Sequence, residues 1–253
     1  MRISFSNYKI KSNKVQRHIR ILHISDLHDA ALGEKNIRQI LDQKADICLA
    51  TGDMIDLYKK LPQEEFLKLC QVLKIPILYS FGNHELYLKK HDPKKFSEYV
   101  EKLKENGVII LDNAKYETSD IDFFGLTFKD ENYFKWFNSK KENATNEEIT
   151  NILGKPHFDK LTILLAHNPF FFPEYEKWGA DIVFSGHVHG GIVILPHIGG
   201  LLSPERKFFP RYYSGKYEIN FAQMYVSRGI GQSKLKIRIN NKPHIIVADI
   251  NKY

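Results

Sequence analysis

Ile19-Arg20-Ile21-Leu22-His23-Ile24-Ser25-Asp26-Leu27-His28 reads as a strand that stops at an acid and a histidine two residues apart. Its density of β-branched and aliphatic side chains fits a strand buried on both faces, as in a parallel sheet covered by helices. Four further runs repeat the plan. Residues 47–51 lead to Gly52-Asp53, 75–81 to Gly82-Asn83-His84-Glu85, 161–166 to His167-Asn168-Pro169, and 181–185 to Gly186-His187-Val188-His189-Gly190. Ligands in α/β folds collect outside the carboxyl ends of strands, so side chains spread from position 26 to 189 are predicted to converge on one edge. Residues two apart on extended backbone share a side, which predicts that Asp26/His28 and His187/His189 each present two donors together. The adjoining glycines permit tight turns and close backbone approach.

Between these runs the apolar period lengthens to that of a helix. Ile37, Ile40 and Leu41 share a face within 34–43, Phe66, Leu69, Cys70 and Leu73 within 63–73, and Phe96, Val100 and Leu103 within 93–104. The first half therefore reads β-α-β-α-β-α. Further strands are predicted at 108–111, 121–126, 221–226, 235–239 and 244–250, and the polar stretch 135–148 suits an exposed insertion or a helix boundary. The expected fold class is α/β, a layered α/β/β/α sandwich of mixed sheets flanked by helices, forming a single domain over residues 1–253.

Composition sets the setting. With 43% hydrophobic and 26% charged residues the chain resembles soluble globular proteins. No window approaches the roughly 18 consecutive apolar residues of a membrane span. Residues 1–14 carry Arg2, Lys9, Lys11 and Lys14 without an apolar segment of signal-peptide length, so a cytoplasmic location is expected. Cys48 and Cys70 lie in apolar runs and are expected to act as small hydrophobes, not as ligands or disulfide partners. A net charge of +7 favours anionic partners such as phosphorylated molecules, nucleic acid or acidic lipid, and equally fits a hydrated lysine-rich surface.

Taken singly, a histidine after a strand is more often a hydrogen-bonded structural residue, and a Gly-Asp pair a turn. Five such endings in register point to a metal centre. In Asp26-x-His28, Gly52-Asp53-x-x-Asp56, Gly82-Asn83-His84-Glu85, His167 and Gly186-His187-x-His189 the chain resembles the calcineurin-like metallophosphoesterase family over nearly its whole length. The resemblance implies that Asp26, His28 and His189 hold one divalent ion, that Asn83, His167 and His187 hold a second, and that Asp53 bridges them. Two such ions bring about +4 charges against two carboxylates and a hydroxide, leaving a small positive excess for phosphate. Imidazole, carboxylate and amide donors without thiolate suit manganese, iron or zinc. The implied activity is a phosphoesterase in which a hydroxide shared by two metals attacks a phosphodiester or pyrophosphate. His84 would contact the phosphate and protonate the leaving oxygen, with Asp56 orienting it. A helix cap is the structural alternative for Asp56, and a structural role is expected for Glu85.

The motif Gly52-Asp53-Met54-Ile55-Asp56-Leu57-Tyr58 lacks the arginine that follows its second aspartate in protein serine/threonine phosphatases, which argues against a protein substrate. Gly190-Gly191-Ile192-Val193-Ile194-Leu195-Pro196 and Tyr225-Val226-Ser227-Arg228-Gly229-Ile230-Gly231 resemble a bacterial branch related to UDP-diacylglucosamine-type phosphodiesterases. That branch implies an amphiphilic or lipid-linked substrate. Arg228 would then contact substrate phosphate, although an exposed surface arginine fits equally well. Residues 201–213 interleave aromatic and basic side chains and, with Phe170-Phe171-Phe172-Pro173, could lie peripherally on an anionic membrane; packing as a core flap is the competing expectation. Nuclease and cyclic-nucleotide phosphodiesterase activities would use the same residues, but the sequence carries no recognisable nucleic-acid motif. A non-catalytic metal-binding scaffold is the alternative of a different kind. His18, His23, His91, His157, His197 and His244 match no motif and are expected to be structural or surface residues, His23 buried and hydrogen-bonded within its strand.

Overall fold

The computed structural model describes residues 2–57, 59, 64–128, 144–191, 194–195, 199–200, 210–232 and 238–253. Each of the five apolar runs is a strand. β2 (Ile19–Ile24), β3 (Ile47–Thr51) and β4 (Ile77–Ser80) pair in parallel in one sheet, and β8 (Leu161–Ala166) and β9 (Ile182–Ser185) pair in parallel in another. The first sheet has the order β1-β14-β2-β3-β4-β5, with β1 (Ser4–Ser12), β5 (Val108–Ile110) and β14 (His244–Lys252), and only β14–β2 is antiparallel. The second has the order β12-β13-β9-β8-β7-β6, with β6 (Ala114–Glu117), β7 (Ile121–Leu126), β12 (Gly215–Ile219) and β13 (Ala222–Val226); its two outer pairs are antiparallel. Ile194–Leu195 (β10) and Gly199–Gly200 (β11) form a small separate ladder.

Three buried clusters define four layers. Ile21, Leu49 and Leu78 of the first sheet meet Phe123, Ile163 and Phe184 of the second in the central cluster. The outer face of the first sheet packs through Leu22, Ile24 and Ala50 against Ile40 of α1 (Gly33–Leu41), Leu69 of α2 (Glu65–Val72) and Leu103 of α4 (Pro93–Glu105). The outer face of the second packs through Phe124, Leu164 and Val183 against Ile149 of α5 (Asn146–Leu153) and Phe172 and Trp178 of α6 (Phe172–Trp178). Burial on both faces explains the continuous apolar runs, and the architecture is the expected α/β/β/α sandwich.

The predicted helices are α1, α2 and α4, the last started by Asp92, whose side chain accepts the Lys95 N–H at 3.2 Å, and by Pro93 in its first turn. Three helices were not foreseen: α3 (Asn83–His91), α5 and α6. α5 begins where Thr145 accepts the Glu148 N–H at 3.1 Å, at the helix boundary that the polar stretch suggested.

Of the two expectations for the aromatic segments, the described residues favour packing within the fold. Phe172 is fully buried, Phe170 and Phe171 pack against the outer cluster, and Tyr212 stands edge-on to Phe172 at 6.0 Å. Aromatic side chains with that much neighbouring apolar surface gain more by packing inward than by facing water. Residues 201–209, and 235–237 of the strand predicted at 235–239, lie outside the described residues. No helix among the described residues is long and apolar enough to cross a membrane.

Candidate metal centre

The backbone turns at each strand end. Asp26, His28, Asp53, His187 and His189 have φ of 49°, 47°, 54°, 71° and 50°. Aspartate and histidine tolerate this left-handed region better than β-branched residues do. The expectation that Asp26/His28 and His187/His189 alternate on extended backbone is therefore corrected: continued extension would carry the donors past the sheet edge, whereas left-handed turns fold each one inward. Bonds between neighbouring turns fix them, with Asp26 N–H on Gly52 O (3.0 Å), His28 N–H on Asp53 O (3.0 Å) and Gly186 N–H on His167 O (3.1 Å).

The seven predicted ligands come together. Asp26, His28 and His189 form one group, and Asp53, His167 and His187 another, each with ligand atoms within 4.8 Å of one another. His189 Nε2 lies 3.3 Å from Asp26 Oδ1 and 3.0 Å from His28 Nε2. His167 Nε2 lies 3.3 Å from Asp53 Oδ2, and Asn83 Oδ1 lies 3.0 Å from His187 Nδ1. Asp53 joins the groups, its Oδ2 standing 4.0 Å from His28 Nε2.

Surrounding residues orient these donors. His167 Nδ1 donates to Thr51 O at 2.7 Å, which leaves Nε2 as the atom that takes a proton or a cation. Asp26 accepts from Ser25 Oγ (2.5 Å) and from the His187 N–H (3.1 Å). Glu85 is fully buried and accepts the N–H groups of Asp53 (2.8 Å), Met54 (2.8 Å), Ile55 (3.3 Å) and Gly82 (2.9 Å). Its structural role is thus to clamp the turn that carries Asp53.

His84 stands beside the first group, its ring centroid 4.5 Å from that of His28, and with His28 and Asp53 forms a third cluster of donor atoms within 4.8 Å of one another. The Leu57 N–H donates to its Nδ1 at 3.2 Å, so the neutral ring carries its proton on Nε2, 3.9 Å from Asp53 Oδ2. Asp56 is half-buried immediately before Leu57. The Arg228 guanidinium is half-buried, not an exposed surface group, and donates from Nη2 to Ser4 Oγ at 2.9 Å. Sequence reasoning missed Arg238, whose Nη2 lies 3.4 Å from His189 Nδ1. Of the unmatched histidines, His23 is buried with Nε2 2.8 Å from Thr51 Oγ1, as expected.

The charges fit a cation site. Burial raises the Asp26 carboxyl above its ordinary value, against the pull of His167. Burial pushes Asp53 the same way but is outweighed by His167 and His84, which hold it well below the ordinary range. Burial, aided by His84, pushes His28 down to about 3, and burial with His28 also depresses His189. His167 opposes its own burial and is pushed up to about 10 by Asp53 and Asp26. Two buried carboxylates therefore draw a proton onto His167, while neutral imidazoles converge beside them; a divalent cation meets the same demand.

The family described as calcineurin-like phosphoesterase matches residues 19–191, a span holding all seven candidate ligands and His84. The chain is 27% identical over 245 residues to the uncharacterized metallophosphoesterase YkoQ of Bacillus subtilis, covering 93% of this chain and 84% of that protein. It is 25% identical over 240 residues to the phosphodiesterase YaeI of Escherichia coli, covering 91% and 82%. The solved phosphopantetheinyl hydrolase of Mycobacterium tuberculosis matches with a TM-score of 0.48 at 15% identity, over 84% of this chain and 89% of that one.

Proposed function

The chain belongs to the calcineurin-like phosphoesterase family, and we propose that it hydrolyses a phosphodiester or pyrophosphate bond of a phosphorylated small molecule with two divalent ions, manganese, iron or zinc. Asp26, His28 and His189 would hold one ion, Asn83, His167 and His187 the other, with Asp53 shared. The observation that carries this reading is the convergence of buried Asp26 and Asp53 on His167, whose Nε2 lies 4.0 and 3.3 Å from their oxygens. The name of the E. coli relative supports a diester over a monoester.

When bound, two such ions neutralise phosphate charge and activate water for in-line displacement. The protein's residues prepare that chemistry. Ser25 and the His187 amide hold Asp26, the Thr51 carbonyl sets His167, and Glu85 fixes the turn of Asp53. With Nδ1 accepting the Leu57 amide, His84 directs Nε2–H at the centre, where it can donate a hydrogen bond to a phosphate oxygen and stabilise the charge that develops there. Asp56 would support His84 through the turn that it shares with Leu57.

Metal analysis with a bis-p-nitrophenyl phosphate assay tests the proposal. Two ions per chain and manganese-dependent turnover are expected; no bound ion together with no turnover on added manganese would overturn it.

A further inference from the structure

The segment after β13, Ser227-Arg228-Gly229-Ile230-Gly231, runs directly against the first group of ligands. Ile230 N–H donates to Ser25 O at 3.2 Å, and Gly231 N–H to Asp26 O at 2.7 Å. A Cβ on Gly229 would stand 2.5 Å from Asp26 Cβ, and one on Gly231 would stand 2.9 Å from His28 Cβ. Only bare backbone fits there.

Arg238 ties this segment together. Its Nη2 donates to Arg228 O at 2.9 Å and Gly229 O at 3.2 Å and also contacts the Gly231 carbonyl. The same atom lies 3.4 Å from His189 Nδ1, on the opposite edge of the ring from the nitrogen that faces Asp26. Buried Asn241 donates from Nδ2 to His189 O at 2.6 Å, and its Oδ1 lies 3.5 Å from Arg238 Nη1. One guanidinium thus touches the backbone that braces Asp26 and His28 and also the ring of His189. The second group is braced elsewhere, by Thr51 on His167 and Glu85 on the Asp53 turn.

We propose that Arg238, with Asn241, is a positioning residue for the Asp26–His28–His189 half of the centre and sets the cation affinity of that half separately from the other. The inference rests on the two-ion reading above. By charge alone a guanidinium beside a ligand ring would weaken cation binding; with Nη2 set among three carbonyls and Nη1 toward Asn241, it strengthens binding by holding the ligands in place. Arg238→Lys separates the two effects, because it keeps the charge and removes the planar group whose two nitrogens reach the carbonyls and Asn241.

The test is manganese titration and electron paramagnetic resonance on the full chain carrying Arg238→Lys, Arg238→Ala or Asn241→Ala. His189→Ala and His167→Ala mark the loss of each half. Wild type is expected to bind two exchange-coupled ions. Both Arg238 variants are expected to keep one ion at near wild-type affinity and bind the other at least tenfold more weakly, with an uncoupled spectrum like that of His189→Ala. Asn241→Ala should shift the same way. Unchanged affinities, or equal weakening of both ions, overturn the inference while the proposed function stands. Should neither Arg238 variant fold, wild-type binding in Asn241→Ala overturns it. A wild-type chain that binds no ion removes the two-ion reading itself.

Discussion

At His84 the amide of Leu57 fixes which ring nitrogen carries the proton. A ring held that way donates instead of ligating, so His84→Ala is expected to retain its metal while turnover falls on the order of a hundredfold. Unchanged hydrolysis of bis-p-nitrophenyl phosphate would refute the role. Glu85, the next residue, accepts four backbone N–H groups in a fully buried setting. Hydrogen bonds to a charged group contribute about 1.5–3 kcal/mol, and unpaired buried donors add a penalty, so Glu85→Ala is expected to cost at least about 3 kcal/mol. Urea unfolding measures this, and a loss below about 1 kcal/mol would show that the turn is held by other contacts. The ligands were legible because each is a polar residue that interrupts a long apolar run. Arg238 was not: in Ser233-Lys234-Leu235-Lys236-Ile237-Arg238 three cations alternate with apolar and polar residues, and no sequence signal distinguishes the one that reaches His189. Arg228 drew notice through the resemblance carried by residues 225–231, and its Nη2 donates to Ser4 Oγ.

The ends of β2 and β9 approach each other as closely as backbone permits. A Cβ on Gly186 would stand 1.7 Å from Ser25 Oγ and 2.2 Å from Asp26 Oδ2, so Gly186→Ala must displace the Asp26 carboxylate. Overpacking of this kind costs about 1–3 kcal/mol. Gly186→Ala is therefore expected to lower the melting temperature and the manganese content together; normal content of both ions would mean that the strand ends can separate without disturbing Asp26. Strands covered on both faces were readable from unbroken apolar runs. The edge strands β1 and β6 were not, because β1 alternates Tyr8 and Ile10 with exposed Lys9 and Lys11, and β6 exposes most of Ala114-Lys115-Tyr116-Glu117. Such strands form by pairing with a covered neighbour, not from a pattern of their own. α3 was hidden for another reason: its first residues are ligand and site residues, and Glu85 is its one fully buried position.

Across the molecule, buried neutral histidines couple stability to pH. Burial, with Arg228 nearby, pushes His244 down to about 3, where Nδ1 accepts the Arg228 N–H at 3.3 Å and Nε2 lies 2.8 Å from Ser6 Oγ. The unfolded chain takes up this proton near pH 6.5, the folded one only near 3. The stabilisation from a neutral His244 is therefore complete above pH 6.5 and is lost as pH falls toward 3. His244→Asn is expected to show a shallower fall in melting temperature than wild type between pH 7 and 4, with metal-free samples compared throughout. Equal slopes would mean that His244 is not held neutral.

Asp26, His28, Asp53 and Asn83 all precede β5, whereas His167, His187 and His189 all follow β7. A ribosome that has delivered only the first half would therefore have released three of the proposed oxygen donors and a single proposed imidazole ligand, a set that would suit hard ions such as magnesium better than zinc or iron. The nitrogen-rich donors arrive with the second sheet. Under the two-ion proposal, selectivity for a transition metal would arise only once the second sheet has formed, and a half-docked chain would make a poor trap for a scarce transition metal.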